Sequence, residues 1–497
     1  MSVWLVGPIV WAGLEFARGD VIGYGYPWML TGHPIIAWPF LAHAGAVIGA
    51  YGVSFLTVAL GSALGCAVLS RGRWRSQGVV GVVGAVVIAG VWLGLSLVPG
   101  VQTQGSIRVA VVQSNVAQSV KTGWSPPERL ADLDTLLALT ERASRAKPRP
   151  DVIVWPETMF PGDALEPDAL NEERAARLVW YTDRDTKWPR LAFVVWRGHD
   201  GIDQPQRITG PFEQGNTLAI WTTVAADSLL AWQQRLGIPM LVGAEGIDDL
   251  SITVNPADGR VDTKFSKIYN SSYLIKDGKA AWTRYDKIHL TPFGEVMPYI
   301  SSWKWLEQLF LRVGIGARGM SFDLSAGTKP IVHVIQTQDA GLVRVATPIC
   351  FEGVMPELCR RLVYAGSDRQ ADIMVQLTNE GWFGNFDAAR EQHLQAVRWR
   401  AVELGVSVVR AANTGISALI GPSGRVLREG VEGGKTSRVP GVLWADSPLT
   451  RGRTFYGRWG DVMGLSMFVL GMVLIGAAAI VGTRQRRAAR TAEKENG

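Results

Sequence analysis

The sequence predicts an α/β domain with buried β-sheets, joined to transmembrane helices at both ends of the chain. Short apolar runs alternate with helical periodicity between about residues 107 and 410, as in a sandwich of sheets covered by helices. Uncharged runs of about 20 residues, long enough to cross a bilayer, lie near the N-terminus and again at 462–482. Charged residues make up only 19% of the 497 residues, against about 25% in an average globular chain.

The membrane segments are predicted from these uncharged runs. Residues 79–98 and 462–482 contain no charged side chain, and 44–69 is equally uncharged and rich in Gly and Ala, as packed membrane helices are. A fourth run, 3–17, is shorter and contains Glu15. A signal peptide is its alternative, but a basic segment and a cleavage site are missing. We expect about three spans within residues 1–99 and one at 461–483.

Arginines predict the sidedness of these segments, because positive charge concentrates on cytoplasmic flanks. Arg71, Arg73 and Arg75 precede the 79–98 run, and four more arginines follow the last run. This places a basic tail, 484–497, in the cytoplasm and a domain at 100–460 outside it. Arg451, Arg453 and Arg458 oppose the assignment, but the tail carries more. Such flanks explain the net charge of +6 better than nucleic-acid binding does.

Two other features of the sequence do not lead to a single interpretation. Residues 19–43 are rich in Gly, Pro, Trp and Tyr and cannot form one regular helix. They predict either a connecting loop or a re-entrant, lipid-contacting segment. The three cysteines, Cys66, Cys350 and Cys359, have no disulfide or metal-site spacing, so their number does not indicate the compartment.

The elements of the α/β domain follow in order from 107. The pattern predicts a helix over 128–146 with leucines at helical spacing, and a second over 393–404. Residues 166–235 break the alternation, are charged and rich in Trp, and are predicted to be a surface insertion. The predicted strands are 107–113, 151–155, 239–242, 342–346, 373–377 and 406–410.

Three polar residues at predicted strand ends or in polar loops suggest thiol chemistry. Cys350 follows the 342–346 strand, Glu157 follows the 151–155 strand and Lys287 lies in a polar loop with Glu295. A thiol is mostly protonated at neutral pH, so a nucleophilic Cys needs a base or a cation beside it. Taken singly, each has a structural explanation: a core Cys, a salt-bridged or capping Glu, and a solvated Lys. His289 alone is more often structural.

These motifs resemble the nitrilase superfamily, with its Glu–Lys–Cys triad. The stretches that carry the resemblance are Trp155-Pro156-Glu157, then Lys287 with Pro292-Phe293-Gly294-Glu295, then Cys350-Phe351-Glu352. Together with the membrane flanks, they are similar to the apolipoprotein N-acyltransferase family. Further matching stretches include Gln113-Ser114-Asn115, Tyr269-Asn270-Ser271 and Trp382-Phe383-Gly384. The resemblance covers about residues 10–482.

The resemblance implies a nitrilase-type α-β-β-α sandwich set on a transmembrane helical region, with its site facing the membrane. It implies that Cys350 is the nucleophile, Glu157 the general base and Lys287 the group that stabilises the tetrahedral intermediate. Glu295, Glu352 and the Phe351 backbone N–H would support the site. Trp124 resembles an active-site Trp of the family, although two extra residues precede it here.

The implied activity transfers an acyl chain from a phospholipid, through a Cys thioester, to the amine of a diacylglyceryl-cysteine lipoprotein. The implied setting is a monomer in the bacterial inner membrane, without metal, cofactor or nucleic acid. A membrane-tethered amidase that releases its acyl-enzyme to water, and an inactive paralogue, are the alternatives.

Three departures stand against the family pattern. The N-terminal membrane region is shortened, Phe351 replaces the usual Tyr, and the 166–235 insertion is unusual.

Overall fold

A computed structural model describes residues 3–23, 25–70, 75–117, 124–183, 217–255, 261–292, 294–296, 324–366, 368–430 and 436–495. The α/β domain contains two large sheets that pack face to face. The first sheet has the strand order Tyr285–Asp286, Lys267–Lys276, Met240–Asp248, Val152–Val154, Gln102–Gln113 and Gly441–Arg451, with Lys279–Ala280 beside its second strand. The second sheet has the order Val332–Gln336, Leu342–Ala346, Ile373–Thr378, Val408–Ala412, Ala418–Ile420 and Val426–Glu429.

The core between the sheets is a layer of branched aliphatic side chains. Alternate residues of both sheets point into it, because successive side chains of a strand face opposite ways. Val109, Val152 and Leu241 of the first sheet meet Val345 and Ile373 of the second there. Three central strands in each sheet run parallel, so their carboxyl ends lie at one edge, where polar residues can gather.

Helices cover the outer face of each sheet. On the first sheet lie Pro126–Ser144 and Val224–Leu236, which share a core with it. On the second lie Pro356–Val363 and Asp387–Leu404. The α-β-β-α sandwich is therefore confirmed. The remaining described elements of the domain are the helix Pro167–Ala176 and three strand pairs, Val179–Asp183 with Thr217–Trp221, Ser251–Val254 with Val261–Lys264, and Tyr364–Ala365 with Asp368–Arg369.

The predicted surface insertion at 166–235 is wrong in its C-terminal part. Leu229 is fully buried and Trp232 is 3% exposed on the helix Val224–Leu236, which packs against the first sheet. The prediction failed because this helix directly follows a charged, polar stretch and was grouped with it. Its own apolar residues recur at helical spacing, as in a helix that packs on a core. The middle of the insertion, 184–216, lies outside the described residues.

Three helices in the described part of the chain are long and apolar enough to cross a membrane: Gly45–Leu69, Ser76–Ser96 and Val462–Arg487. They lie within helices that run Gly45–Leu69, Arg75–Ser96 and Val462–Glu495. The helix Val3–Phe16 has only 14 residues and packs against the last of these helices. Residues 19–43 are not one helix, as predicted, and contain a 3-10 turn at His33–Ala37 and a short helix at Pro39–Ala42.

One helix of the sandwich connects it to the membrane region. Trp399 of Asp387–Leu404 is fully buried in the core of the membrane helices, beside Ala50 and Val53. Its indole Nε1 donates to the His33 carbonyl at 3.2 Å. The Glu403 carboxylate accepts from the backbone N–H of Ala50 at 2.8 Å. These contacts fix the sandwich on the membrane helices.

Candidate active site

Glu157 follows the strand Val152–Val154, at the carboxyl edge of the first sheet. Its carboxylate is buried and accepts two hydrogen bonds, one from Asn270 Nδ2 at 2.7 Å and one from the backbone N–H of Asn379 at 2.7 Å. The turn at Glu157 needs a glycine beneath it, since a Cβ at Gly243 would lie 2.3 Å from the Pro156 carbonyl oxygen. The carboxylate is thus fixed in place before any substrate binds.

Lys287 directly follows the edge strand Tyr285–Asp286 and is fully buried. Its Nζ lies 2.6 Å from Glu295 Oε2 and 3.6 Å from Glu157 Oε1, and donates to Thr291 Oγ1 at 3.1 Å. Burial disfavours the ammonium, but Glu295, the Cys350 sulfur and Glu157 outweigh burial and hold the pKa of Lys287 well above its usual value. The site therefore contains a permanent cation between two carboxylates.

Glu295 holds the ammonium in place. Its Oε2 accepts from the Thr291 backbone N–H at 2.8 Å, and its Oε1 accepts from Asn270 Nδ2 at 3.2 Å. Although burial opposes ionisation, Lys287 and the Thr291 hydrogen bonds lower the pKa of Glu295. Because Asn270 contacts both Glu157 and Glu295, one amide sets the spacing of the two carboxylates around the ammonium.

Cys350 begins a 3-10 turn, Cys350–Val354, that follows the strand Leu342–Ala346. Its φ of +51° is a left-handed conformation that non-glycine residues seldom adopt. Such a turn points the thiol away from the strand and into the site. Desolvation and the Glu157 charge raise the pKa of the Cys350 thiol well above its usual value, while Lys287 lowers it. The thiol therefore rests protonated and needs a base to become a nucleophile.

The backbone of Cys350 is held by a buried network that the sequence did not reveal. Gln376 Nε2 donates to the Cys350 carbonyl at 2.8 Å, and its Oε1 accepts from Arg410 Nη1 at 2.7 Å. His393 Nδ1 and Arg410 Nη2 both bond to Glu380 Oε1, the histidine at 2.8 Å. This pairing assigns the His393 proton to Nδ1 and leaves Nε2, 3.3 Å from Gln376 Nε2, as an acceptor. The Gln376 amide thus donates to the Cys350 carbonyl and to His393 Nε2, and accepts from Arg410.

Glu352 links the turn Cys350–Val354 to the segment that follows Lys287. Its buried carboxylate accepts from the backbone N–H groups of Ile288 at 2.7 Å and His289 at 2.9 Å. It also accepts from the Ile349 backbone N–H at 2.8 Å and from Tyr285 Oη at 2.8 Å. Burial raises the pKa of Glu352 to about 7 against the opposing effect of these bonds. The side chain therefore holds Cys350 and Lys287 at a fixed separation without reaching the thiol.

Replacing Glu352 with Gln is expected to lower the free energy of unfolding by roughly 2–4 kcal/mol. A glutamine amide presents N–H groups to two of the four donors, and each buried donor left unsatisfied costs about 1–3 kcal/mol. Denaturant unfolding of the purified protein measures this loss. The control is Glu173→Gln, since Glu173 is also buried but lies on the separate helix Pro167–Ala176. Equal stability of the two variants would contradict the stabilising role of the hydrogen bonds that Glu352 accepts.

Phe351, which follows Cys350 in the chain, forms an aromatic cluster with His289 and with Tyr26 and Trp28 of the loop at 22–30. The Phe351 ring stacks on Tyr26 at 5.5 Å and on His289 at 6.0 Å between ring centroids, and lies 6.4 Å from Trp28. Trp28 Nε1 donates to Gln392 Oε1 at 3.2 Å. The membrane-proximal loop therefore reaches the mouth of the site. The Phe351 ring makes these stacking contacts itself, and they do not require the hydroxyl group that a Tyr would carry at this position.

Trp124 has contacts elsewhere. Its Nε1 donates to Asp132 Oδ2 at 2.7 Å, and the Arg129 guanidinium lies 5.9 Å from its ring centroid. The preceding residues, 118–123, lie outside the described part of the chain. Its role near the thiol therefore stays a prediction. No role was predicted for Asn270, although Tyr269-Asn270-Ser271 is one of the family-like stretches, nor for Thr291, Asn379 and Gln376. Asn379 and Glu380 are polar residues directly after the buried strand Ile373–Thr378, a signal that could have predicted them.

The alkylation of Cys350 by iodoacetamide is expected to speed up about tenfold per pH unit between about pH 7 and pH 9. Only the thiolate reacts, and the raised pKa keeps its fraction small over this range. Peptide mass spectrometry separates Cys350 from Cys66 and from the buried Cys359. A rate that is flat with pH over this range would contradict the raised pKa of the Cys350 thiol.

Comparison with known proteins relates this chain to two family models and to named proteins of bacteria. Residues 250–454 match the carbon-nitrogen hydrolase family model, and residues 1–63 match the model of the apolipoprotein N-acyltransferase N-terminal domain. A protein of Brucella suis named apolipoprotein N-acyltransferase is 31% identical over 92% of this chain and 69% of its own. One of Geobacter metallireducens with the same name is 28% identical over 96% of this chain and 74% of its own.

Among solved structures, an amidase from Nesterenkonia sp. AN1 is 16% identical, with 70% of this chain and 92% of the amidase covered at a TM-score of 0.39. The two family models lie in the order that the sequence predicts, a membrane segment followed by a carbon-nitrogen hydrolase domain. With 31% identity over nearly the whole chain, the protein belongs to the apolipoprotein N-acyltransferase family.

Proposed function

We propose that this protein N-acylates lipoproteins by a two-step transfer through Cys350, with Glu157 as the base. In the first step Glu157 takes the Cys350 proton, and the thiolate attacks the carbonyl carbon of a phospholipid ester. Lys287 and the Phe351 backbone N–H stabilise the oxyanion. The tetrahedral intermediate collapses, the bond from carbon to the glycerol oxygen breaks, and Glu157 returns the proton to the lysophospholipid that leaves.

In the second step the α-amine of a diacylglyceryl-cysteine attacks the thioester. Glu157 removes a proton from the attacking amine and delivers it to the Cys350 sulfur as the carbon–sulfur bond breaks. The product is an N-acylated lipoprotein and the free enzyme. The observation that carries the proposal is the Lys287 ammonium fixed between Glu157 and Glu295 beside a left-handed Cys350. It is supported by membership of the family.

The test of the acceptor supplies phospholipid and a diacylglyceryl-cysteine peptide to the full chain in detergent. We expect the peptide to gain one acyl chain on its α-amine, with one lysophospholipid released for each peptide acylated. The same peptide with an acetylated α-amine is the control and should stay unmodified. Free fatty acid without N-acyl peptide would contradict the transfer and indicate a hydrolase, which the family relationship does not favour.

We further propose a monomer in the bacterial inner membrane with the sandwich outside the cytoplasm, as the flanking arginines suggest. Asp339, whose side chain is 79% exposed on the sandwich, and Arg486 in the predicted basic tail give the two test positions. A cysteine at 339 should react with an impermeant maleimide in intact spheroplasts, and one at 486 only after lysis. Wild-type protein controls for the native cysteines, and the reverse pattern would overturn the orientation.

A further inference from the structure

A groove of about 360 Å³ lies between the membrane helices and the base of the sandwich, and the acyl transfer does not use it. It is lined by residues 46–47, 98–102 and 451–455. These segments are the beginning of the helix Gly45–Leu69, the chain after the helix Arg75–Ser96, and the chain before the helix Val462–Glu495. Because all three candidate spans end near it, the groove lies at the level where hydrocarbon gives way to water.

The polar side of the groove is formed by arginines. Arg451 is exposed, and its backbone pairs with Gln102 at the last register position of the strand Gly441–Arg451. Arg453 lies over the Tyr364 ring at 4.4 Å and donates to the Gly366 and Gly457 carbonyls. Within the described residues, its buried Nε has no hydrogen-bond acceptor. The lining of the groove therefore includes two arginines and no carboxylate, and Arg451 is the exposed one of the two.

The other side of the groove is apolar and continues onto the membrane helices. Val47, Val98 and Phe455 line it, and the Phe455 side chain is 53% exposed. Trp459, 61% exposed, lies one helical turn beyond Phe455, with 6.4 Å between the ring centroids. Aromatic side chains of this kind are typical of the headgroup region of a bilayer. The helix Arg75–Ser96, which ends two residues before the groove lining, carries further exposed valines.

The groove is separate from the site at Cys350. The two lie near opposite ends of the helix Asp387–Leu404, so the length of the helix between them gives their separation. His393 on this helix lies beside Gln376, which holds the Cys350 carbonyl. The far end of the same helix reaches the groove lining, since a Cβ at Gly405 would lie 2.6 Å from Val101 Cγ1 and 3.0 Å from Thr454 Cγ2. Twelve residues of helix separate residues 393 and 405, and a rise of 1.5 Å per residue makes this about 18 Å.

We propose that this groove binds one bilayer phospholipid at a site distinct from the acyl-transfer site, with its phosphodiester on Arg451. The planar guanidinium matches phosphate oxygens, and the acyl chains would lie along the exposed face of Arg75–Ser96. The proposal explains why Arg451, Arg453 and Arg458 stand at the end of the last span opposite the basic tail. It does not rest on the chemistry of Cys350.

The test measures binding of a dialkyl ether phosphatidylglycerol, which has no ester to attack, to the full chain in detergent by native mass spectrometry. The wild type is expected to bind two lipids, one at the acyl-transfer site and one in the groove. In Arg451→Gln the affinity of the groove for its lipid should fall about tenfold or more, because a charge-assisted contact is lost. Arg145→Gln, an equal change of charge on the separate helix end at residue 145, should bind like wild type.

Three results would overturn the proposal. One is equal binding by Arg451→Gln and Arg145→Gln. A second is equal binding of the matching dialkylglycerol, which lacks the phosphate. The third is displacement of the lipid by millimolar inorganic phosphate, which would assign the groove to free phosphate. Loss of acyl transfer in Cys350→Ala with intact lipid binding in the groove would leave the proposal standing, so the two functions can fail separately.

Discussion

Replacing Glu157 with Gln is expected to slow the acylation of Cys350 by about two to four orders of magnitude, the usual contribution of a general base. The variant cannot accept the thiol proton. Its amide also presents N–H groups to Asn270 or to the backbone N–H of Asn379, where the carboxylate accepts hydrogen bonds now. The measurement is single-turnover formation of acyl-enzyme from phospholipid, followed by intact mass spectrometry.

The matched control for Glu157→Gln is Glu173→Gln. Glu173 is also buried, and desolvation together with Asp163 and Asp227 raises its pKa to about 8, so a neutral amide resembles its resting state. Its acylation rate should equal that of the wild type. A Glu157→Gln variant that acylates at the wild-type rate would remove Glu157 from the mechanism.

Replacing Lys287 with Met is expected to damage both stability and rate. Removing one partner of a buried ion pair costs about 3–5 kcal/mol of unfolding free energy, because Glu295 and Glu157 are left without their cation. Loss of an oxyanion donor should slow acylation by a further factor of about 10²–10³. Denaturant unfolding and single-turnover acylation measure the two effects.

A double variant separates the two roles of Lys287. Lys287→Met with Glu295→Gln removes the unpaired carboxylate next to the missing ammonium, so much of the lost stability should return. The acylation rate should stay low, since the oxyanion donor is still absent. If the double variant recovered acylation together with stability, Lys287 would be a structural residue only.

The strands that lead to Cys350 and Glu157 could be predicted because their signals are local, whereas the edge strand Tyr285–Asp286 before Lys287 was not predicted. The run Leu342–Ala346 has the predicted bounds, since β-prone residues fill it and Thr347-Pro348 ends it. Glu157 follows Val152–Val154 for a similar reason: a short buried strand stops at Trp155-Pro156. Polar residues after such strands lie at the carboxyl edge of a parallel sheet, so their convergence also follows from the pattern.

The partners of these side chains could not be predicted, because they come from distant parts of the chain. Asn270 lies 113 residues from Glu157 in sequence, and Asn379 lies 222 residues away. Nothing local marks an Asn on a strand as the amide that spaces two carboxylates. Gln376 could not be predicted for another reason. It lies within the buried strand Ile373–Thr378, where a single polar residue only interrupts the apolar pattern and does not indicate a function.

The central claim is that Cys350 carries the acyl chain between the two substrates. The direct measurement incubates the full chain with phospholipid alone, without a lipoprotein acceptor, and examines the intact protein by mass spectrometry. We predict a mass increase of one acyl chain that maps to the peptide containing Cys350, is removed by neutral hydroxylamine as thioesters are, and is absent in Cys350→Ala. N-acylation of a diacylglyceryl-cysteine peptide by Cys350→Ala at the wild-type rate would contradict the account.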